Sequence, residues 1–516
     1  MNNKPEINLV CKSNYDKQIK EIKELIKSPL QPDWNETDTT KQSFIRSKPD
    51  FENQIKELRE QYLELKDEIE QLKNGVIVKS DDNDDTVEYI TDIDEIEDFI
   101  SRSSNKGTID DPIKLKFRLS GYLDLGIFSQ ILLIVANNEK YVELDLQECT
   151  TESDTWFSIR PLGTAGKDKV ISLTFPDSIT ILSNINNDLS NLKEIIGQNA
   201  TSVSNYAIQN CTSLTSIDLP NVTDIGYYAF ISCTALTSLH IPNVTSIGSR
   251  AFAGCSSITS IDLPNVTSIN GYAFESCTSL ISVNLPNVTS IDGLNFRFCT
   301  SLKSVNLPNV ESIGQKDFYD CSSLKSINIP KVTSIGNSAF YNCTSLTSID
   351  LPNLEYVSNY TFYGCSSLTS INIPNVTNIS DKAFTNCTSL RSIDLPNCQN
   401  IGHYIFEGCT SLTSVNLPSM GDSMYLGDNT FEKCTSLTSI KLGINVPVVG
   451  SNIFNDINSP QTITVKLPTG ATGYGSQPTN TTDNNWGNAF RGKGWNGEDY
   501  QDGIVNDNIT LKYEYV

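Results

Sequence analysis

CSSITSIDLPNVTSINGYAFES, residues 255–276, is the stretch on which the fold turns. Its cysteine recurs at 211, 233, 255, 277, 299, 321, 343, 365, 387 and 409, nine successive steps of 22 residues. Prolines keep the same step from Pro220 to Pro418, and phenylalanines from Phe230 to Phe406. Phe431 and Cys434 add one looser copy, lengthened by three residues between Pro418 and Phe431. A fixed period of this size marks an array of stacked units.

Within one unit the apolar residues are Ile258, Ile261, Leu263, Val266, Ile269 and Phe274, which follow neither a helical period nor simple alternation. Ile261-Asp262-Leu263 reads as a short strand with two side chains inward and one outward, stopped by Pro264. Val266 and Ile269 bring the chain back along a second face. A single coil of this length cannot bury its own apolar side, so each must stack on both neighbours and every interior position becomes a ladder.

The run Leu236, Leu239, Ile241-Pro242, Val244, Ile247-Gly248, Ala251-Phe252 and Cys255 resembles the repeat of the BspA-like leucine-rich repeat surface proteins. The resemblance covers about residues 189–455. Asn295 and Asp317 depart from it at the Ala position, Asn270 and Asp292 at the Gly position, and Cys398 at the Val position. It implies a β-rich leucine-rich-repeat solenoid, adhesion to host matrix or to other cells, and a place at the cell surface or outside the cell.

The flanks read as caps. Leu189, Leu192, Ile195 and Val203 occupy repeat positions without the cysteine or proline, as in a worn terminal unit. Upstream, IKLKFRL at 113–119, an apolar stretch at 125–136 and YVELDL at 141–146 predict strand, helix, strand, and an α/β N-terminal capping domain over 113–188. An acidic linker is expected over 76–112. A β-rich C-terminal module over 456–516 is expected from TITVKLP at 462–468 and NITLKYEYV at 508–516, and resembles modules that end some BspA-like proteins.

Residues 1–75 differ in kind. Ile55, Leu58, Tyr62, Leu65, Ile69 and Leu72 alternate steps of three and four, the seam of a helical coiled coil. It predicts an oligomerising stalk, dimeric or trimeric, with a lone amphipathic helix as the alternative. Between this seam and a shorter one lies a Pro-punctuated linker, residues 31–51. Its Pro32-Asp33-Trp34-Asn35 and Lys48-Pro49 are similar to a segment of tail- and fibre-associated proteins of phages and prophages.

Composition narrows the chemistry. Lys plus Arg number 38 against 61 Asp plus Glu, a net charge of −23 that repels nucleic acid and anionic membranes. No apolar run approaches the roughly 20 residues of a membrane span, and Met1–Cys11 lacks the apolar core of a signal peptide. Two histidines, His240 and His403, leave little for most triads or zinc sites. The acidic stretch 81–98 has Thr86 and Asp92 where a calcium loop needs Gly and Glu. Gly487 to Gly494 approaches a phosphate loop but lacks its Ser/Thr. No enzymatic site, metal or cofactor is expected; a cryptic site in a flanking domain is the enzymatic alternative. The cysteine column is expected to be buried free thiols, because side chains on one parallel ladder point alike. The Asn-Val-Thr triplets at 221, 243, 265, 287 and 375 are expected to be turn residues.

Variation between units collects after the Ile-Gly position and after the Phe. These places hold Tyr227, Tyr228, Arg250, Tyr272, Tyr360 and Tyr404, then Arg297, Tyr319, Tyr341 and Tyr363, with Lys316, Lys382 and His403 among them. Tyrosine and arginine are favoured in recognition surfaces, so these residues are the candidate ligand-binding stripe. The rival surface is the polar strand face carrying Ser216, Ser238, Ser260 and Asp218, Asp262, Asn284. The chain is therefore expected to be a non-enzymatic adhesin binding a protein or glycan on a cell surface, extracellular, surface-bound or part of a virion. A phage or prophage fibre carrying the same host-binding solenoid is the alternative context.

Overall fold

The fold is built from a coil in which proline decides where each strand ends. In the computed structural model, which describes residues 88–516 except 120, 157–164, 186–188, 421–423, 445–446, 458, 470 and 472–508, one turn holds a strand Ser260–Asp262 and a return strand Ser268–Ile269. The first strand lies one residue earlier than the apolar alternation suggested, with Leu263 buried just beyond its end. Pro264 then leads into a turn where the Asn265 amide donates to the Pro242 carbonyl at 2.9 Å. The same bond recurs from Asn243, Asn287 and Asn375, so the Asn-Val-Thr asparagines join successive turns.

Neighbouring turns pair in parallel and in register, Ser260 with Ser282, Ile261 with Val283 and Asp262 with Asn284. Each inward side chain therefore sits on its own copy one turn away. The phenylalanines stack from Phe230 to Phe454 at centroid distances of 5.2–5.8 Å. The thiols beside them are reduced and buried, as the ladder argument expects. Cys255 Sγ donates to the Phe230 carbonyl at 3.1 Å, and Cys277 to that of Phe252 at 3.2 Å.

Strand Ile113–Lys116, helix Leu125–Asn137 and strand Val142–Asp145 occur where the sequence places them, the helix started by Asp124, whose carboxylate accepts the Ile127 N–H at 2.8 Å. No boundary follows at 188. The strands at 113, 142 and 170 belong to one parallel sheet that runs on through Glu194–Ile196, Ser216–Asp218 and Ser238–His240, over one continuous core. The strand, helix and strand expected of the N-terminal cap thus share the sheet and core of the first turns of the solenoid. The expected linker is also partly folded: Asp92 and Glu95 form a capping box, and Ile96 and Ile100 of helix Ile96–Arg102 are buried. At the other end, Gln461–Leu467 and Ile509–Tyr515 pair in parallel as the last strands of the same kind of sheet. The heptad seam from Ile55 to Leu72 and the Pro32–Pro49 segment lie outside the described residues.

The strand-side sheet is not continuous. It is interrupted between 240 and 262, between 328 and 350, and between 372 and 394. All three seams follow a turn ending Ile-Pro, at Ile241, Ile329 and Ile373. Where the turn ends Leu-Pro, the leucine N–H donates to the next turn, as from Leu219 to His240 at 2.9 Å and from Leu351 to Asn372 at 2.9 Å; the three isoleucines make no such bond. A β-branched side chain adds its own restriction to that imposed by the following proline. Each block that follows a seam opens on an aspartate, Asp262, Asp350 or Asp394. Asn284 donates to Asp262, Asn306 to Asn284 and Asn328 to Asn306, at 2.7–2.8 Å, but Asp350 has no proton to give back to Asn328. The return sheet is interrupted between 269 and 290 and between 335 and 356. At the second of these, the Ser358 hydroxyl donates to the Ile335 carbonyl at 2.6 Å. Only between the turns of Ser326–Asn328 and Ser348–Asp350 are both sheets interrupted together.

Candidate functional site

After each return strand the chain reverses through a residue in the left-handed region, and in nearly every turn a second follows four residues on, as Ser232 follows Tyr228. The first of the two is Tyr206, Tyr228, Arg250, Tyr272, Leu294, Lys316, Ser338, Tyr360, Lys382 and Tyr404 in ten successive turns, with φ between 56° and 65°. Glycine and asparagine suit that conformation, which costs other residues roughly 1–2 kcal/mol. Asparagine does fill it at both ends, at Asn184, Asn429 and Asn452. Along the middle, Ser338 apart, the column holds large side chains that the backbone disfavours.

Those side chains touch. Tyr206 stacks on Tyr228 at 4.9 Å and meets Tyr227 edge-on at 5.0 Å. The Arg250 guanidinium lies 5.9 Å from the Tyr228 ring and 4.0 Å from that of Tyr272. Arg250 and Arg297 then share Glu275, each donating to one carboxylate oxygen at 3.2 Å. Arg297 lies over Phe298 at 4.2 Å and near Tyr319 at 5.7 Å. Tyr319, Tyr341 and Tyr363 form a parallel stack at 4.6 and 4.7 Å. Tyr360 approaches Tyr363 at 6.0 Å, and Lys382 lies 5.9 Å from Tyr360 and 5.0 Å from Tyr404.

All ten residues proposed from sequence thus fall on one stripe along the loop edge, about 43 Å long at the usual strand spacing. Tyr206 and Tyr227 are 42% and 43% exposed, so the stripe is open to a partner at its first turns. Tyr341 has a tyrosine on each face, and burial, with Tyr363 and Tyr319 beside it, pushes its hydroxyl above the ordinary range. Sequence reasoning missed Tyr206, Glu275 and Phe298. Tyr206 precedes the first cysteine-to-phenylalanine unit, but its step of 22 residues to Tyr228 is a signal that could have found it.

The strand face differs. Its asparagines spend their amides on the preceding turn, as Asn372 does on Asp350 at 2.7 Å, so much of its polar capacity is used within the chain. His240 is 3.8 Å from Asp218 on that face. His403 lies beside the stripe, its ring nitrogen Nδ1 accepting the Asp428 N–H at 3.1 Å. Among the described residues no group of three His, Cys, Asp or Glu is placed to hold a metal ion, and no helix is long and apolar enough to cross a membrane.

Comparison with solved structures gives a leucine-rich repeat protein from Bacteroides ovatus at 24% identity and a TM-score of 0.51, covering 78% of this chain and 88% of that one. A leucine rich cell surface protein from Faecalibacterium prausnitzii is 25% identical over 51% of this chain and 83% of its own, with a TM-score of 0.34. A leucine-rich repeat protein from Eubacterium ventriosum is 19% identical over 58% and 87%, with a TM-score of 0.37. No curated protein matches. The model of the BspA type leucine rich repeat region matches overlapping segments, 165–281, 223–347, 267–389 and 355–469, which together make up more than half of the sequence. The chain belongs to the family of BspA type leucine-rich repeat proteins.

Proposed function

We propose that this chain is a non-enzymatic recognition protein that adheres to a protein at a cell surface, and that the stripe from Tyr206 to Tyr404 is its binding face. The observation that carries the reading is the left-handed column. Aromatic or cationic residues stand at eight of ten successive turns, Leu294 and Ser338 excepted, where the backbone favours glycine or asparagine, and strain kept at a surface position points to a use for the side chain. Family membership supports the same reading, since a solenoid offers an extended, rigid surface.

The heptad residues Ile55, Leu58, Tyr62, Leu65, Ile69 and Leu72 belong to this reading as a stalk that presents several copies, so that weak single contacts gain avidity. A phage fibre would use the same act of binding. Light scattering of the full chain and of a chain beginning at Val76 checks the stalk: a multimer that becomes monomeric on truncation is expected.

The binding face is tested by attaching labelled protein to a panel of cultured cells. Replacing Tyr319, Tyr341 and Tyr363 by serine is expected to lower attachment at least tenfold. Replacing Ser304 and Ser326 on the strand face by arginine is expected to leave it unchanged. The reverse pattern would move the binding face to the strands.

A further inference from the structure

Arg250, Glu275 and Arg297 come from three consecutive turns and meet in one place on the stripe. Two guanidinium groups share a single carboxylate, so the trio carries one uncompensated positive charge within a chain of net charge −23. Each guanidinium is braced by a ring, Arg250 by Tyr272 at 4.0 Å and Arg297 by Phe298 at 4.2 Å, which fixes its plane. Each is bound to Glu275 through one terminal nitrogen. Arg297 Nε is buried and has no hydrogen-bond partner. A buried donor without an acceptor is costly, and more so when charged.

Nε itself is out of a ligand's reach, but each braced guanidinium keeps a second terminal nitrogen that bonds nothing in the chain, and the two together suit a planar anion able to accept two bonds. One excess charge matches one carboxylate. We propose that this trio is the anchor of the stripe, a seat for an acidic side chain of the partner protein, in which the incoming carboxylate takes the donors that Glu275 leaves free on Arg297 and Arg250. Glu275 holds the two arginines in place before the partner arrives and also weakens the seat, because it competes for the same charges.

This inference rests on the stripe being the binding face, and its test separates the two. The probe is poly-L-glutamate, with heparin as the sulfated-polysaccharide arm, measured on the full chain by biolayer interferometry at physiological ionic strength. There the screening length is about 8 Å, which suppresses the repulsion of the distant acidic surface. Arg297→Gln is expected to weaken poly-L-glutamate binding at least tenfold, and Arg250→Gln by a smaller factor. Glu275→Gln is expected to strengthen it at least threefold. That sign distinguishes a seat from a structural brace, and it decides the matter even if Arg297→Gln fails to fold.

No change or a loss with Glu275→Gln overturns the proposal. So does heparin binding that depends on Arg297 while poly-L-glutamate does not bind. If poly-L-glutamate binding follows the expected pattern while cell attachment ignores the Tyr319, Tyr341 and Tyr363 replacements, the seat stands and the adhesion reading fails. If attachment needs those tyrosines and poly-L-glutamate does not bind, the stripe stands and the seat fails.

Discussion

The carboxylate of Asp317 accepts the backbone N–H of Asn295, one turn earlier, at 3.0 Å. Both residues are buried where most other turns carry alanine. Two turns before Asn295 the Ala251 N–H reaches the Gly248 carbonyl of its own turn at 3.2 Å. Asn270 and Asp292 replace that glycine in the next two turns, and Gly293 takes up a φ of 67°. There the Ala273 N–H goes to the Asn295 side chain at 3.2 Å, and the Asn295 N–H to Asp317. Asn295 and Asp317 act together: a side-chain relay supplies acceptors for the buried N–H groups of Ala273 and Asn295.

Asp317 makes stability depend on pH. Burial pushes its carboxyl up from 3.8 to about 7, against the N–H donors of Asn295 and Gly314. Between about pH 4 and pH 7 the unfolded chain has released a proton that the folded chain keeps, so stability falls as pH rises through this window. The full effect is on the order of 4 kcal/mol. Urea midpoints at pH 4.5 and 7.5 should show wild type losing more stability with rising pH than Asp317→Asn, in which this titration is removed.

Tyr341 is held between two rings, so Tyr341→Ser removes two aromatic pairs at once. At the usual value of an aromatic pair the loss is about 1–3 kcal/mol. A thermal melt should record it, with less effect from Tyr227→Ser, which removes a more exposed ring.

The seams predict an exchange pattern. Backbone N–H groups of Ile241, Ile329 and Ile373 should exchange with deuterium faster than those of Leu263, Leu307 and Leu395, which donate to the next turn at 3.2, 3.0 and 2.9 Å. Equal protection across the six positions would remove the seams.

The thiol column should be silent in the native protein. Burial pushes Cys277, Cys365 and Cys409 up to about 12, so the nucleophilic thiolate is scarce at pH 8. Reaction of the 13 buried cysteines with a thiol reagent is expected to be slow until the chain unfolds, when all 14 cysteines of the sequence should titrate. In sub-denaturing urea, Cys343, next to the double seam, should be labelled before Cys277.

Much of this was legible because the repeat compares the chain with itself. The step of 22 residues gave the stacked turns, the buried columns and the positions of Tyr319, Tyr341 and Tyr363 on one edge. What escaped had three physical causes. Ile for Leu and Asp for Asn are small changes that an apolar pattern treats as equal, yet Ile241 and Asp262 mark a seam. Tyrosine, arginine and lysine do not advertise a left-handed backbone, so the strain at Tyr228 and Arg250 is visible only in φ. The bond of Glu275 to Arg250 joins residues 25 apart, in adjacent turns, and no local motif predicts it. Sheet and core run on across residue 188, and no local motif announces that continuity.

The double seam gives the stacked turns a mechanical order. Where both sheets are interrupted, the loop edge still joins the two turns: Ser338 donates to Asn359 at 2.9 Å, Phe340 to Thr361 at 2.9 Å and Asn342 to Tyr363 at 2.7 Å. Phe340 stacks on Phe362 there, and Tyr341 on Tyr363. Tension along the stack would part the strand side first and leave the loop edge as a living hinge, so the array would bend open at one place before it tore anywhere else. The tyrosine stack spans that hinge, and a ligand seated across it would bear on the joint itself.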